Sequence, residues 1–212
     1  MIRYDIVICG IGGQGVISLG TILKLAAIEE GVSVMGAERR GGAQREGSVT
    51  SNIRYRGLSP GEAHDERAMA TSGLIPAAGA DMMIAMEPLE ALRHAALLNE
   101  RSVVIVNDFP LIPVSVRIGE RAYPARDEIY ARLRRFTPRV HVVDIDGLSK
   151  QNFNSLRQVN TVSLGLASAL GALPVSEESI LATVKQRFPD FETNKRAFDL
   201  GKSASGAATH GR

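Results

Sequence analysis

The chain has 212 residues, 44% of them hydrophobic and 23% charged, and its 25 Lys and Arg against 23 Asp and Glu give a net charge of +2. That near-balance excludes a strong nucleic-acid field, and no Trp with only 5% aromatic residues excludes base-stacking platforms. The single cysteine, Cys9, excludes an internal disulfide and any iron–sulfur cluster held by four cysteines of this chain.

In chain order, residues 4–9 read as a buried strand ending in a glycine cluster. Residues 14–30 read as a helix, with Val16, Leu19, Ile22, Leu23 and Ala26 at helical spacing and Gly31 as its stop. Residues 32–35 form a second strand, and the polar, glycine-rich stretch 36–47 reads as a long loop. From Ser48 to Arg56 the pattern alternates, with Val49, Ser51, Ile53 and Tyr55 on one face, which predicts a half-exposed strand. Residues 58–80 are loop-like, and Asp81 to Met86 is a buried strand.

Glu87-Pro88 opens a helix through Leu98, because proline is tolerated in a first turn. Glu87 is expected to cap it rather than act as a general base. Val103 to Val106 is a strand, 114–118 with 121–123 resemble a hairpin, and 126–136 suit an arginine-rich helix. The arginines from Arg126 to Arg139 read as a solvated face or a subunit contact. Val140 to Ile145 is a further strand, and helices are expected over 155–172, 176–188 and 192–202. Strands alternating with helices predict a three-layer α/β/α sandwich with a mixed, mainly parallel sheet. One domain over 1–202 and a disordered tail over 203–212 are expected, in a soluble cytoplasmic protein. No apolar run approaches the roughly 20 residues of a membrane helix, and glycines interrupt the first apolar run too early for a signal peptide.

The glycine cluster Gly10-Ile11-Gly12-Gly13-Gln14-Gly15 matches the spacing G-x-G-x-x-G of dinucleotide sites. Such a turn brings backbone close to a phosphate at a helix N-terminus, and it equally suits close packing of helix on strand. Glu38 stands where an acidic residue would hold ribose hydroxyls, but Arg39 and Arg40 follow it, which suits a 2′-phosphate instead. His64, His94, His141 and His210 fall in no recognisable catalytic setting. A free-standing NAD(P)-binding oxidoreductase or a nucleotide-binding module therefore stays open as an alternative.

Further motifs join the turn: Arg40-Gly41-Gly42-Ala43-Gln44-Arg45, Glu87-Pro88-Leu89-Glu90, Asn160-Thr161-Val162-Ser163-Leu164-Gly165 and Asn194-Lys195-Arg196-Ala197-Phe198-Asp199-Leu200-Gly201. Their order and spacing over about 4–201 resemble the gamma-type subunit or domain of the 2-oxoacid:ferredoxin oxidoreductases. Glu46 departs from that family's usual glycine pair. The resemblance implies oxidative decarboxylation of a 2-oxoacid (indolepyruvate or another aryl pyruvate) to an acyl-CoA, with electrons passed to ferredoxin. It implies that thiamine diphosphate, magnesium and the iron–sulfur clusters belong to a larger partner subunit. The gamma-type chain then bears on the coenzyme A side of a hetero-oligomer and is inactive alone. Under this reading Gly10, Gly12, Gly13, Gln14 and Gly15 form an anion cradle or subunit contact. Arg40 and Arg45 reach coenzyme A phosphates or a carboxylate across the interface, no residue is catalytic, and none binds metal. Asn160 is expected to cap a helix or bond across an interface.

Overall fold

Strand β1 (Ile2–Ile11) is the axis of the fold. Ile6, Val7, Ile8 and Cys9 are all fully buried, so both faces of this strand are covered. The computed structural model describes residues 2–41, 47–57, 72–112, 116, 119, 122–170 and 173–206. Helix α1 (Val16–Glu29) follows β1, then β2 (Ser33–Arg40), β3 (Ser48–Gly57) and β4 (Ala80–Ala85). Helix α2 (Pro88–Arg93), a 3₁₀ turn (Ala95–Leu97), β5 (Leu98–Asn107), α3 (Arg126–Leu133) and β6 (Val140–Val143) come next. The chain closes with α4 (Ile145–Phe153), α5 (Val159–Ala169), α6 (Glu177–Arg187) and α7 (Phe191–Ala204). Among the described residues no helix is long and apolar enough to cross a membrane.

The sheet order is β2-β3-β1-β4-β5-β6. Strands β1, β4, β5 and β6 run parallel, and β3 is antiparallel to both β1 and β2. This is the expected mixed, mainly parallel sheet. Ile6 and Ile8 face a core shared with α1, α5, α6 and α7, whereas Val7 and Cys9 face a second core closed by α2 and α3. Three layers result, with each fully buried Ile or Leu contributing about 1.5–3 kcal/mol.

Several boundaries differ from the expected ones, each for a physical reason. Strand β2 runs through Arg40, because β3 pairs it as far as Arg40 with Val49 and propagates the ladder into the polar stretch read as loop. Strand β3 is almost wholly buried rather than half exposed, since it lies inside the sheet. Its polar side chains find partners there. Arg56 donates to Asp5 Oδ1 at 2.7 Å and Oδ2 at 3.1 Å, and Asn52 donates to the Ala37 carbonyl at 3.2 Å. The helix expected to reach Leu98 ends at Arg93, and β5 begins at Leu98, five residues before the apolar run that marked it.

A helix stands where the end of a strand was expected. Asp144 Oδ1 accepts from Gly147 N at 2.7 Å and so caps α4, stopping β6 at Val143. Helix α5 accordingly starts at Val159 rather than 155. Helix α7 continues to Ala204, inside the segment expected as tail, and 207–212 lie outside the described residues. The expected hairpin near 114–123 and most of the loop 58–80 also fall largely outside them.

The C-terminal motifs are explained by contact between α5 and α7. A Cβ at Gly165 would lie 1.9 Å from the Phe198 carbonyl oxygen, and one at Gly201 would lie 2.1 Å from that of Val162. The two helix backbones touch, and Thr161 donates to Asn194 Oδ1 at 2.8 Å beside the contact. Gly165→Ala must push the helices apart, so it is expected to lower stability by about 1–3 kcal/mol or more in denaturant unfolding.

Candidate functional site

The glycine turn closes on itself. Ile11 N donates to Gln14 Oε1 at 2.8 Å, and Gln14 N donates back to the Ile11 carbonyl at 3.1 Å. The Gln14 amide then donates through Nε2 to the Met86 carbonyl at 2.8 Å, tying the end of β1 to the end of β4. Gly12 N donates to the Gly47 carbonyl at 2.9 Å. Gly15 has φ 77°, and a Cβ there would lie 2.2 Å from Asn160 Nδ2. Asn160 therefore bonds across to the turn, donating to the Gly15 carbonyl at 3.2 Å, and does not cap α5. At Gly10 an added Cβ would meet Gln14, Met86 and Val16 at 2.9 Å each. Close packing accounts for Gly10 and Gly15, whereas Gly13 faces open space.

Gly12, Gly13, Gln14 and Gly15 line a cleft of about 380 Å³ outside the carboxyl ends of β1, β4 and β5. The connection through α1 carries the chain to one side of β1, and β4 lies on the other. This is the switch point where α/β sheets open a crevice. The far wall carries Asp146, which is 7% exposed. Asn107 orients it, donating to Asp146 Oδ1 at 2.6 Å and accepting from Ile145 N at 3.0 Å. Burial raises the Asp146 carboxyl above its ordinary value, and the Asn107 bond offsets only part of that. Phe109, Leu111 and the 44% exposed Leu156 supply an apolar rim.

Arg40 does not join this cleft. It lines a second cavity of about 380 Å³ with Arg39, Ser48, Arg93 and His94, over β2 and β3 on the α2 side. Arg45 lies outside the described residues. Glu38 is no ribose acid beside the turn: it pairs with Lys24 at 3.2 Å, and β3 separates its strand from β1. Cys9 is buried in β1, where desolvation and the charges of Glu90 and Glu87 push its thiol well up. Glu87 Oε2 accepts from Glu90 N at 2.9 Å and caps α2, as its position before Pro88 predicts.

One cluster escaped sequence reading. Glu90, fully buried, accepts from Ser48 Oγ at 2.5 Å and pairs with Arg93, and His94 Nε2 lies 3.6 Å from its Oε2. Burial alone would raise the Glu90 carboxyl, but the bonds from His94 and Ser48 and the Arg93 charge hold it below its ordinary value. Ser48 Oγ also lies 3.3 Å from His94 Nε2. Serine and carboxylate thus meet the same ring nitrogen, whereas a nucleophilic relay needs them on opposite nitrogens. The cluster instead holds Arg93 and His94 in place at the Arg40 cavity. Only the i, i+3 and i, i+4 spacing of Arg93 and His94 from Glu90 was readable beforehand, since Ser48 arrives from another strand.

Asp146 also sets a pH dependence. A carboxyl raised in the fold binds its proton more tightly there than in the unfolded chain. Its contribution is fully favourable below the unfolded value, declines as pH rises through the window to the folded value, and is lost above it. Asp146→Asn keeps an acceptor for Asn107 and removes that loss. Its melting temperature is expected to gain on wild type across this acidic window and then keep a constant lead to pH 8, measured by thermal melts.

A family profile described as pyruvate ferredoxin/flavodoxin oxidoreductase matches residues 5–204. The chain is 38% identical over 203 residues to the indolepyruvate oxidoreductase subunit IorB of Archaeoglobus fulgidus, covering 94% of each. It is 33% identical over 205 residues to the protein of the same name from Methanothermobacter thermautotrophicus, covering 96% of this chain and 98% of that one. The fold matches the gamma subunit of a keto/oxoacid ferredoxin oxidoreductase from Geobacter sulfurreducens with a TM-score of 0.67 at 24% identity, covering 97% of this chain and 100% of that one. It also matches the 2-oxoglutarate:ferredoxin oxidoreductase of Magnetococcus marinus, solved with 2-oxoglutarate, coenzyme A and succinyl-CoA bound. There the TM-score is 0.71 at 18% identity, over 99% of this chain but 32% of that longer one. With its three-layer sheet and a profile match running from β1 into α7, the chain belongs to the pyruvate ferredoxin/flavodoxin oxidoreductase family.

Proposed function

We propose that the chain is the cluster-free subunit of an enzyme that oxidatively decarboxylates indolepyruvate or another aryl pyruvate. The carboxylate leaves as carbon dioxide, the acyl carbon forms a thioester with coenzyme A, and the electron pair released passes to ferredoxin. The observation that carries this reading is the end-to-end match to relatives of that name, which share nearly its whole length. The iron–sulfur clusters, thiamine diphosphate and magnesium are assigned to a larger partner subunit. For a cluster held by four cysteines this chain offers no seat, since its one cysteine is buried in β1. Thiamine diphosphate supplies the carbanion chemistry where it is bound.

The residues of this chain then bind and orient. Arg39, Arg40 and Arg93 place three guanidinium groups around one cavity, with His94 beside them. Such a cavity suits the phosphates of coenzyme A, and Arg45, a few residues beyond Arg40 in sequence, is assigned to the same task. In the glycine turn both Gln14 side-chain groups are consumed within the chain. We therefore assign Gly10 and Gly15 to shaping the turn, and Gly12 and Gly13 to presenting backbone to the partner subunit over the apolar rim. The competing reading, a free-standing NAD(P) oxidoreductase, lacks the ribose-holding acid at the end of the second strand, because Glu38 stands two strands from the turn and pairs with Lys24.

Arg40→Ala in the assembled complex is expected to raise the KM for coenzyme A about tenfold, with kcat largely kept, because one charge-assisted phosphate contact is lost. Steady-state reduction of ferredoxin with indolepyruvate measures it. Loss of assembly with an unchanged KM would transfer Arg40 to the subunit interface. Co-purification on a tagged chain tests the wider reading. A larger partner containing thiamine diphosphate and iron–sulfur clusters is expected. A solitary chain that quenches NADH fluorescence would overturn it.

A further inference from the structure

A third cavity, of about 570 Å³, opens at the opposite end of the sheet, beneath the amino ends of β1, β4 and β5. Arg3 and Tyr4 of β1, Asp81 of β4, Asn99 and Arg101 of β5 and Arg139 just before β6 line it. Three guanidinium groups therefore surround one void, with a single carboxylate among them. That carboxylate is already engaged, since Asp81 Oδ2 accepts from Asp5 N at 2.8 Å. Among the described residues no carboxylate forms an ion pair with Arg3, Arg101 or Arg139. Arg126 and Arg132, by contrast, are paired with Asp108 and Glu128.

The placement of these groups is fixed by the fold. Arg139 donates to the Arg101 carbonyl at 3.1 Å, which seats its head group beside β5. Asn99 turns its own groups inward, donating to the Ala78 and Ala80 carbonyls at 3.1 and 3.0 Å and accepting from Arg101 N at 2.9 Å. It braces the floor and leaves the arginines as the donors. The Tyr4 hydroxyl is buried and has no hydrogen-bond partner. An unpaired buried hydroxyl is costly, and the charge of Arg139 beside it favours an anionic acceptor. Burial and the Asp81 charge push the Tyr4 phenol up to about 12 against the opposing pull of Arg139, so it keeps its proton and donates at neutral pH.

We propose that this cavity binds a dianionic phosphate group, held by Arg3, Arg101 and Arg139 with the Tyr4 hydroxyl as a further donor. The site lies at the far end of the sheet from the glycine-turn cleft and shares no lining residue with the Arg40 cavity, so it does not rest on the coenzyme A assignment. Arginine forks match phosphate oxygens in geometry as well as charge. The void is larger than one phosphate, leaving room for the rest of a phosphate monoester.

Isothermal titration of the full chain with inorganic phosphate, and separately with glycerol 3-phosphate, tests this at constant ionic strength. Saturable binding with one site per chain is expected. Arg101→Gln and Arg139→Gln should each weaken it about tenfold, and Tyr4→Phe about threefold to tenfold. Arg132→Gln, on the exposed face outside the cavity, should bind as wild type. Tighter binding of the ester assigns a phosphorylated metabolite, and equal or weaker binding assigns free phosphate. Circular dichroism checks that each variant is folded. Non-saturating heats, or affinity that survives in folded Arg101→Gln and Arg139→Gln but falls in Arg40→Gln, would overturn the proposal.

Discussion

The Gln14 side chain joins the ends of the two central strands, and the organisation of the candidate site depends on that joint. Its oxygen accepts from Ile11 N and its nitrogen donates to the Met86 carbonyl, so one amide satisfies backbone groups from both β1 and β4. An amide does this because it carries donor and acceptor on one rigid plane. A carboxylate could only accept, and would leave the Met86 carbonyl with only the longer bond from Asn107 Nδ2 at 3.3 Å. The joint holds the turn against the sheet, and Gly10 and Gly15 remove the side chains that would otherwise collide with it.

From that joint outward, the molecule keeps its polar chemistry at the edges of an apolar sheet. Most buried polar groups inside it are matched, with the Tyr4 hydroxyl, Ser51 Oγ and Gln158 Oε1 as exceptions. Asp5 meets Arg54 and Arg56, Glu90 meets Ser48 and Arg93, and Asp146 meets Asn107. Removing one member of the two charged sets, Asp5 with its arginines or Glu90 with Arg93, leaves an unpaired buried charge and typically costs about 3–5 kcal/mol. Three of the cavities at the margins lie at the carboxyl ends of the parallel strands, over β2 and β3, and at the amino ends. Two of them are rich in arginine and one carries a buried carboxyl, so the molecule offers surfaces of contrasting charge.

The glycine turn shows how far a motif carries. Its spacing correctly marks a strand, a tight turn and a helix, with Gly15 at positive φ. The same spacing suits a dinucleotide, yet the turn spends Gln14 and Gly12 N on internal bonds and lacks the acidic neighbour that a ribose needs. The missing neighbour follows from β3. An antiparallel strand between β1 and β2 carries Glu38 about 10 Å from the turn's own strand, twice the spacing of neighbouring strands. No pattern within β1 or β2 announces that insertion, because each strand reads only its own burial.

Much was nonetheless written in the sequence alone. The apolar runs at 4–9 and 81–86, the Glu87 cap ahead of Pro88, and the lone buried cysteine each depend on a few adjacent residues. Burial, capping and turn geometry act over that same short range. The ordered set of motifs also placed the chain in its family. Tertiary structure alone decided the order of strands, the parting of Arg40 from the glycine turn, and the meeting of Ser48 with Glu90 and His94. It also decided the gathering of Arg3, Arg101 and Arg139 around Tyr4. These depend on pairing between segments tens of residues apart, and the energy that selects one pairing is spread over the whole core rather than encoded in any one segment.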